Sequence, residues 1–303
     1  FPKIAIIGAG AIGTYYGAKL ALAGNDVRFL LRSDLAWVRA SGLRLIEKTR
    51  TLSLQSAAVY DSADEIGLVD LVFVTLKATA NGELPRLLPP LLCAGTVVVT
   101  LQNGLGNEEW LASIVGAERA AGGLCFIAAT RTAPGEVTCY HPGTITLGEI
   151  GRPAEARTQA IAELFNRAGV KCTAVDNLDE ARWRKLVWNI PFNGLAIAAG
   201  GIATDRICAD AELAAETRAL MSEVQAAAAK FGYSISDNFL HRQFDVTPSM
   251  GAYQPSSLID FLAGREVEVE AIWGEPLRRA QAAGASVPRL DHLYRILKKL
   301  TAR

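Results

Sequence analysis

The chain has 303 residues, of which half are apolar and one-fifth charged, the composition of a globular protein with ample material for a core. Its 31 basic side chains balance 31 acidic ones, so bulk charge favours neither nucleic acid nor an anionic membrane as a partner. The same balance excludes a disordered chain, which requires low hydrophobicity and high net charge. At about 150 residues per domain, the length predicts roughly two domains.

The five cysteines and three histidines follow no disulfide or metal-binding spacing. We therefore expect buried thiols in a reducing compartment and no metal site. No apolar run approaches the roughly 18 residues of a membrane-spanning helix, and the chain starts directly with a strand-like segment, so we expect no leader peptide. These features predict a cytoplasmic protein.

The first part of the chain alternates short apolar runs with helical stretches. Helices are predicted at 11–23, ending at Gly24, and at 81–87. Apolar runs of this length are typical of parallel strands buried on both faces, and they lie at 3–7, 26–31, 71–75 and 96–100. The alternation predicts βαβ units and a doubly wound, Rossmann-type α/β sheet.

Further strand-like runs extend this pattern. The segments 43–47 and 51–57 predict an inserted hairpin, and later strands at 124–128, 144–149 and 171–175 predict an antiparallel extension of the sheet. After Asp176 helical periodicity takes over, at 179–199, 209–231, 267–283 and 290–300, with an ordered loop expected at 234–256. We divide the chain into a Rossmann-type domain, 1–176, and an all-helical domain, 177–303.

A glycine-rich motif follows the first predicted strand. The sequence Gly8-Ala9-Gly10-Ala11-Ile12-Gly13 fits G-x-G-x-x-G and opens the first predicted helix. In this position the glycines permit a tight turn, close approach of a pyrophosphate and helix-to-strand packing, while the helix N-terminus offers N–H groups to the phosphates. The alternative is a glycine-rich turn without a ligand.

The end of the second strand indicates which dinucleotide binds. NAD-specific sites usually carry Asp or Glu there, whereas this chain has Arg32, and Asp34 lies past the strand. Because a guanidinium can pair with a 2′-phosphate, the sequence favours NADP(H) over NAD(H). The alternative is that Arg32 is a solvated surface charge.

Two further loops follow predicted strands at the edge where open α/β sheets bind ligands. One contains Lys77, a cation suited to the pyrophosphate or the nicotinamide ribose. The other contains Gln102-Asn103-Gly104, which predicts either a tight turn or donors that face the nicotinamide and the substrate.

In the second domain a polar stripe interrupts an apolar helix. Lys185, Asn189 and Asn193 recur every four residues and so share one helical face, although Pro191 predicts a kink or restart. Such groups are costly to bury without partners, so they either satisfy one another or line a cavity for a polar ligand. Alternatively, Arg182, Arg184 and Lys185 form a solvated basic face.

A second polar segment runs over 256–268. Ser256 is predicted as the N-cap of a short helix that stops at Gly264. Beyond it, Glu268 is a carboxylate that could face a cavity beside Lys185, or only a favourable partner of a helix dipole.

Taken together, these motifs resemble the ketopantoate reductases (2-dehydropantoate 2-reductases) over essentially the whole chain. The resemblance rests on G-x-G-A-I-G, L-Q-N-G at 101–104, K-L-x-x-N-x-x-x-N at 185–193 and S-x-x-x-D-x-x-x-G-R-x-x-E at 256–268. It implies reduction of ketopantoate to pantoate in pantothenate biosynthesis, with NADPH and the 2-oxo acid bound in a cleft between a Rossmann-type and a helical domain.

The resemblance also implies roles for individual residues. Lys185 would be the general acid that protonates the ketone oxygen, and Glu268 would orient the substrate and the lysine. The substrate would be held by Asn103, Asn189, Asn193 and Ser256, and the cofactor by Gly8, Gly10, Ala11, Ile12, Gly13, Arg32, Lys77 and Asn103.

Two other functions stay open at this point. A paralogous NADPH-dependent reductase would act on another 2-oxo acid, an imine or a β-hydroxy acid. A non-catalytic NADP(H)-sensing protein would keep the glycine motif and lose the reaction centre, and the joint presence of Lys185, Asn189, Asn193 and Glu268 argues against it. The apolar helical domain makes a homodimer reasonable.

Overall fold

The computed structural model describes residues 2–302. The chain forms two compact units. The first is built from the chain up to Asn103 and from Asn107–Leu178, and the second from Gly104–Gly106 and the chain from Asp179 onward. The short segment Gly104–Gly106 thus groups with the helical unit although both neighbouring residues belong to the first.

The first unit is organised around one ten-stranded sheet with the order β4-β3-β9-β8-β7-β6-β1-β2-β5, in which β10 also pairs with β9. All neighbouring pairs are parallel except β3–β4 and β8–β9. The strands are β1 (Lys3–Ile7), β2 (Asp26–Leu30), β3 (Leu43–Glu47), β4 (Thr51–Leu54), β5 (Ala58–Tyr60), β6 (Val69–Val74), β7 (Leu92–Thr100), β8 (Ala120–Ala133), β9 (Glu136–Glu149) and β10 (Cys172–Ala174).

Helices cover both faces of the parallel part of this sheet. They are α1 (Ala11–Leu22), α2 (Leu35–Ser41), α3 (Ala63–Ile66), α4 (Leu84–Leu87), α5 (Asn107–Val115) and α6 (Ala156–Arg167). In β1 the side chains of Ile4 and Ile6 belong to one apolar cluster, and those of Ala5 and Ile7 to another. Because alternate side chains point to opposite faces, β1 is buried on both sides, as continuous apolar runs require. The Rossmann-type α/β prediction is confirmed.

The chain order of the strands creates a switch point. On one side of β1 the chain adds β2 and, after the hairpin β3–β4 that joins the opposite edge of the sheet, β5. It then returns to add β6 and β7 on the other side of β1. The ends of β1 and β6 are therefore neighbours, with Ile7 paired to Val74. In open α/β sheets this is the crevice where ligands bind, and both the glycine turn and Lys77 directly follow it.

The second unit is helical and has its own core. Its helices are α7 (Leu178–Ala198), α8 (Thr204–Ala209), α9 (Ala211–Ala229), α10 (Asp237–Val246), α11 (Ser256–Leu262), α12 (Glu275–Ala282) and α13 (Pro288–Thr301), and a π-helical turn, Glu270–Gly274, leads into α12. Large side chains fill the core, among them Trp183, Phe192 and Trp273, each at most 2% exposed. Within residues 2–302, no helix combines the length and apolar character that crossing a membrane requires.

Several local predictions are wrong. The segment 234–256 is not a loop throughout, because α10 occupies 237–246 and a 3-10 turn follows at Thr247–Met250. Pro248 and Pro255 obscured this helix, although Ser236 caps it by accepting from the N–H of Phe239. Ser256 is the first residue of α11 and not its cap, which is Pro255.

Other differences concern the lengths of elements. The stretch predicted as one helix at 81–87 is a 3-10 turn, Ala78–Glu83, followed by the short α4. The strands β8 and β9 each run for 14 residues, much longer than their predicted apolar cores, because their outer halves are polar and pair antiparallel with each other. Helix α7 continues through Pro191 without a restart.

Candidate active site

The turn between β1 and α1 is shaped by its glycines. Gly8 has φ of +99°, and a Cβ atom there would lie 2.6 Å from the backbone nitrogen of Leu76. A Cβ at Gly13 would overlap the carbonyl oxygen of Gly8 and the hydroxyl of Thr75. That hydroxyl donates to the Gly8 carbonyl at 2.7 Å and so fastens the turn to the end of β6. Gly8 and Gly13 therefore serve the packing of the turn itself.

Gly10 is different, because a Cβ there would meet no atom within 4 Å. Gly10 is the N-cap of α1, and among the described residues no side chain caps that helix, nor does an acidic residue occupy its first turn. The N–H groups of this turn, from Ala11 and Ile12 onward, and the positive end of the helix dipole are thus available to an anion. The residues present fit the diphosphate of a dinucleotide.

Arg32 lies exposed just after β2. The nearby carboxylate, Asp34, is 9% exposed and turned into the protein, where it accepts from Arg131 Nη1 at 3.1 Å and from the N–H of Gly135 at 3.2 Å. Arg32 is therefore the charged group that the end of β2 presents to solvent, and Asp34 has a structural role at the start of α2.

A polar network orders the loop after β7. Gln102 Nε2 donates to Asn81 Oδ1 at 2.7 Å, and Asn81 Nδ2 donates to Asn107 Oδ1 at 2.9 Å. Asn107 Nδ2 in turn donates to the carbonyl oxygen of Asn103 at 2.8 Å. Half-buried Lys77 is the N-cap of the 3-10 turn that carries Asn81. The side chain of Gln102 therefore stabilises this loop through its hydrogen bond to Asn81. No sequence pattern indicated that Asn81 and Asn107 take part in this network.

In the second unit, Lys185 and Asn189 line a small recess together with Gly104, Arg182 and Leu186. Both Lys185 and Asn189 are only 9% exposed. Because Lys185 is buried on α7, its charge is held largely out of water, where it interacts strongly with a polar ligand. The alternative of a solvated basic face is wrong for Arg182 and Lys185.

Arg182 was not singled out in the sequence as a site residue. It is 3% exposed, and burial, together with repulsion from Arg279, lowers the pKa of its guanidinium to about 9. Arg184, by contrast, is half-exposed and donates to Glu180 Oε1 at 2.7 Å and to the carbonyl of Ser234 at 2.8 Å. The available signal was the spacing of Arg182 three residues before Lys185, which places both on one helical face.

Asn193, the third member of the stripe, ties α7 to α11. Its Oδ1 accepts from the backbone N–H of Ser257 at 3.0 Å, and its side chain is almost fully buried. In this way it satisfies one of the N–H groups that the first turn of α11 would otherwise leave without a partner. Ser256, next along the chain, is exposed.

Glu268 is 8% exposed and lies two residues before the π-helical turn, which begins at Glu270. The carbonyl oxygen of Ala271 in this turn accepts from the N–H of Leu105 at 2.9 Å, and a Cβ at Gly104 would overlap that carbonyl. The close approach therefore requires glycine at 104, which also has φ of +85°. π-helical turns often occur at functional sites because they re-aim the side chains beside them.

All five cysteines are free, and across residues 2–302 no cluster of three His, Cys, Asp or Glu side chains could hold a metal ion.

Two family models match the chain. Ketopantoate reductase PanE/ApbA matches residues 4–152, and ketopantoate reductase PanE/ApbA C terminal matches residues 177–301. Together they cover most of both units.

Individual proteins are similar over nearly the full length. A 2-dehydropantoate 2-reductase of Nostoc sp. is 40% identical, with 99% of this chain and 96% of the relative covered. The crystal structure of 2-dehydropantoate 2-reductase from Geobacter metallireducens has a TM-score of 0.96 at 42% identity, covering 99% of this chain and all of that one. The enzyme structure from Methylococcus capsulatus has a TM-score of 0.90 at 33% identity, covering 99% and 98%.

Proposed function

This chain belongs to the ketopantoate reductase family, and from that premise we propose that it reduces 2-dehydropantoate (ketopantoate) to pantoate, as a step of pantothenate biosynthesis. The observation that carries the proposal is a buried lysine, Lys185, which lines a recess with Asn189 in a chain similar to these enzymes from end to end.

The reducing cofactor of the proposed reaction is a nicotinamide dinucleotide, and we propose NADPH. The open space at Gly10 and the uncapped start of α1 support binding of the diphosphate. Exposed Arg32 supports binding of the 2′-phosphate of NADPH. The nearby carboxylate of Asp34, which would repel that phosphate, accepts hydrogen bonds from Arg131 and Gly135 instead. Lys77, following β6, and Asn103, following β7, are the proposed contacts toward the nicotinamide end.

The proposed chemistry divides between cofactor and protein. Bound NADPH supplies the hydride that adds to C2 of the oxo acid. Lys185 Nζ donates a proton to the ketone oxygen, which becomes the hydroxyl of the product, and the neutral amine then regains a proton from solvent. Before the proton moves, the ammonium also stabilises the negative charge that grows on the oxygen.

Other buried groups orient the substrate in this proposal. Glu268 positions Lys185 and the substrate as a carboxylate partner of the ammonium. Asn189 and Asn103 donate to substrate oxygens. Ser256 begins α11, and Asn193 of α7 contacts the start of that helix, where its Oδ1 accepts from the N–H of Ser257. The amide nitrogen of Asn193 is therefore the group that we propose for the substrate.

The direct test is NADPH oxidation, followed by loss of reduced-nicotinamide absorbance, against a panel of 2-oxo acids that includes ketopantoate. We expect the largest kcat/KM for ketopantoate. A larger kcat/KM for another 2-oxo acid, or no turnover of any, contradicts the proposal. Identification of the product as pantoate completes the test.

A further inference from the structure

Arg131 is a charged residue of the first unit to which the proposed reaction gives no role. It lies in the outer half of β8 and pairs there with Val137 of β9. Residues directly opposite each other on paired strands share a face of the sheet, and Val137 packs in the same apolar cluster as Val38 of α2. Arg131 therefore lies on the face of the β8–β9 ribbon that carries α2.

The side chain of Arg131 reaches the residues that directly follow Arg32. Its Nη1 donates to Asp34 Oδ2 at 3.1 Å and lies 3.5 Å from the hydroxyl oxygen of Ser33. These contacts join positions 97 and 98 residues apart, so β8 brings a second guanidinium to the end of β2, beside the residue next to Arg32. In open α/β folds the ribose 2′-position of a dinucleotide is bound at this end of the second strand.

The protein contacts of Arg131 use one of its three nitrogen atoms. Both contacts involve Nη1, and among residues 2–302 neither Nε nor Nη2 has a protein partner. Nε and Nη2 form an edge of the guanidinium that can bind an oxyanion through two parallel hydrogen bonds. The side chain is 46% exposed, so a ligand can reach it. Asp34 thus fixes the guanidinium by one nitrogen and leaves the bidentate edge open.

The charges at this end of β2 are suited to a phosphate monoester. The two guanidinium groups of Arg32 and Arg131 and the carboxylate of Asp34 leave one net positive charge. Besides Arg131, the N–H of Gly135 and the hydroxyl of Ser33 donate to Asp34, and these donors reduce its repulsion of an anion. A phosphate monoester carries a charge of about −1.5 to −2 at pH 7 and three acceptor oxygens, enough for both guanidinium groups. A ribose 2′-hydroxyl lacks that charge.

We propose that Arg131 is a second binding residue for the 2′-phosphate of NADPH, which it holds through Nε and Nη2 together with Arg32. This inference rests on the proposed use of NADPH and adds to it a specificity-determining residue from a strand distant in sequence. Asp34 positions Arg131 and does not contact the cofactor.

The test measures binding of the oxidised cofactors, so it does not depend on turnover. NADP⁺ and NAD⁺ differ only in the 2′-phosphate, and titration calorimetry gives the Kd of each. The proteins are the wild type, Arg131→Met and the matched control Arg44→Met. Arg44 of β3 is also about half-exposed and pairs with Glu136 Oε2 at 3.2 Å, so the control removes a comparable ion pair from the same extension of the sheet.

For Arg131→Met we expect the Kd of NADP⁺ to rise about 10–100-fold, the loss typical of charge-assisted hydrogen bonds. The Kd of NAD⁺ should stay within about threefold of the wild type, because NAD⁺ has no 2′-phosphate. Arg44→Met should match the wild type for both cofactors. Equal changes for NADP⁺ and NAD⁺ in Arg131→Met, or no change for either, would overturn the inference.

A double variant separates phosphate binding from a simpler effect. Arg131→Met also leaves Asp34 without its cation, and an unbalanced carboxylate would by itself repel the phosphate. Asp34→Asn removes that charge and keeps an oxygen that can accept from the N–H of Gly135. We expect the double variant Asp34→Asn/Arg131→Met to bind NADP⁺ at least about tenfold more weakly than Asp34→Asn alone. Equal binding would mean that Arg131 only neutralises Asp34. This comparison also covers a misfolded Arg131→Met, since neither protein has an unpaired carboxylate at position 34.

The outcomes for this inference and for the proposed function are distinguishable. If the wild type binds NADP⁺ no more tightly than NAD⁺, the proposed cofactor preference and the role of Arg131 both fail. If it binds NADP⁺ more tightly and Arg131→Met keeps that preference, only the role of Arg131 fails. If the wild type prefers NADP⁺ but reduces no 2-oxo acid, the proposed reaction fails, and the Kd values of the variants still decide the role of Arg131.

Discussion

At the scale of single residues, the proposed chemistry depends on an ammonium group that is shielded from water. Lys185 is 9% exposed on α7, so its charge acts through a medium that screens it much less than bulk solvent does. Such a group both stabilises an oxyanion and delivers a proton to it. The same side chain on an exposed face would contribute little to either step.

We expect Lys185→Ala to lower kcat by about 10²–10⁴-fold, the range for loss of a general acid, with NADPH affinity unchanged. The measurements are steady-state turnover of ketopantoate and titration of NADPH by fluorescence. Lys299→Ala, an exposed lysine on α13, is the control and should keep wild-type turnover. Normal turnover in Lys185→Ala would remove the lysine from the mechanism.

Arg32 is the residue that we expect to determine the preference for NADPH over NADH. We expect Arg32→Ala to reduce kcat/KM for NADPH by about 10–100-fold and to leave that for NADH nearly unchanged, because only NADPH has the 2′-phosphate. Initial rates with the two cofactors provide the measurement. Arg39→Ala, another exposed arginine in the following helix, serves as the control. Equal losses for both cofactors would show that Arg32 does not read the phosphate.

At the scale of elements, different glycines of the turn between β1 and α1 serve packing and ligand binding. Gly13→Ala places a methyl group against the Gly8 carbonyl and the Thr75 hydroxyl, so we expect it to lower the free energy of unfolding by about 1–3 kcal/mol. Gly10→Ala meets open space and should leave stability within about 1 kcal/mol, yet weaken NADPH at least about tenfold by blocking the approach of the diphosphate.

Urea unfolding and NADPH titration of the two variants are the measurements. Gly95→Ala is the control, because Gly95 also meets no atom within 4 Å but lies at the beginning of β7. Should Gly10→Ala bind NADPH as tightly as Gly95→Ala does, the turn would not be the diphosphate site.

Asn193 links α7 to α11, and two substitutions can separate this structural role from its proposed role in substrate binding. Asn193→Ala leaves the N–H of Ser257 without its acceptor and should cost about 1–3 kcal/mol of stability. Asn193→Asp keeps the acceptor and most of the stability, but adds a negative charge that repels a substrate carboxylate. We therefore expect a raised KM for ketopantoate in both variants and lost stability in the alanine variant alone, measured by kinetics and urea unfolding.

At the scale of the whole molecule, the antiparallel extension is fastened to the first helix by a buried ion pair. Glu47, at the end of β3, contacts Lys19 Nζ at 2.5 Å and accepts from Tyr15 at 2.8 Å, both from α1, and from Arg50 at 2.6 Å. Burial alone would raise the pKa of Glu47, but these hydrogen bonds outweigh it and lower the pKa to about 2.

This lowered pKa predicts how stability depends on pH. A carboxylate with a depressed folded-state pKa stabilises the fold above its unfolded value and loses that contribution as pH falls toward the folded value. For Glu47 the window runs from 4.5, the ordinary pKa of a glutamate, down to about 2. The difference in unfolding free energy between the wild type and Glu47→Gln should be constant above pH 4.5 and shrink below it. At pH 3, about one unit above the folded-state pKa, the difference in unfolding free energy should already be smaller. A difference that is unchanged at that pH would contradict this prediction.

Much of the fold followed from local patterns. The strands β1 and β2, the helix α1 and the hairpin of β3 and β4 lie close to where apolar runs, the glycine turn and the stop at Gly24 predict them. Helix α10 was not predicted, because two nearby prolines are typical of a loop. The outer halves of β8 and β9 were also missed, because they are held by pairing with each other and not by an apolar run that the sequence shows. Of the candidate site, the glycine motif and the polar stripe of α7 were visible as spacings.

The amino-acid sequence by itself determined the two kinds of architecture and the residue types available for chemistry, because turns, helix periods and strand runs depend on neighbours along the chain. Tertiary structure decided what each polar group does. In the folded chain Asp34 accepts from Arg131, and Asn193 Oδ1 accepts from the N–H of Ser257. Arg182 is buried near Lys185 on the same helix. Two of these contacts join residues 97 and 64 positions apart, and all three outcomes depend on burial, which no local pattern encodes.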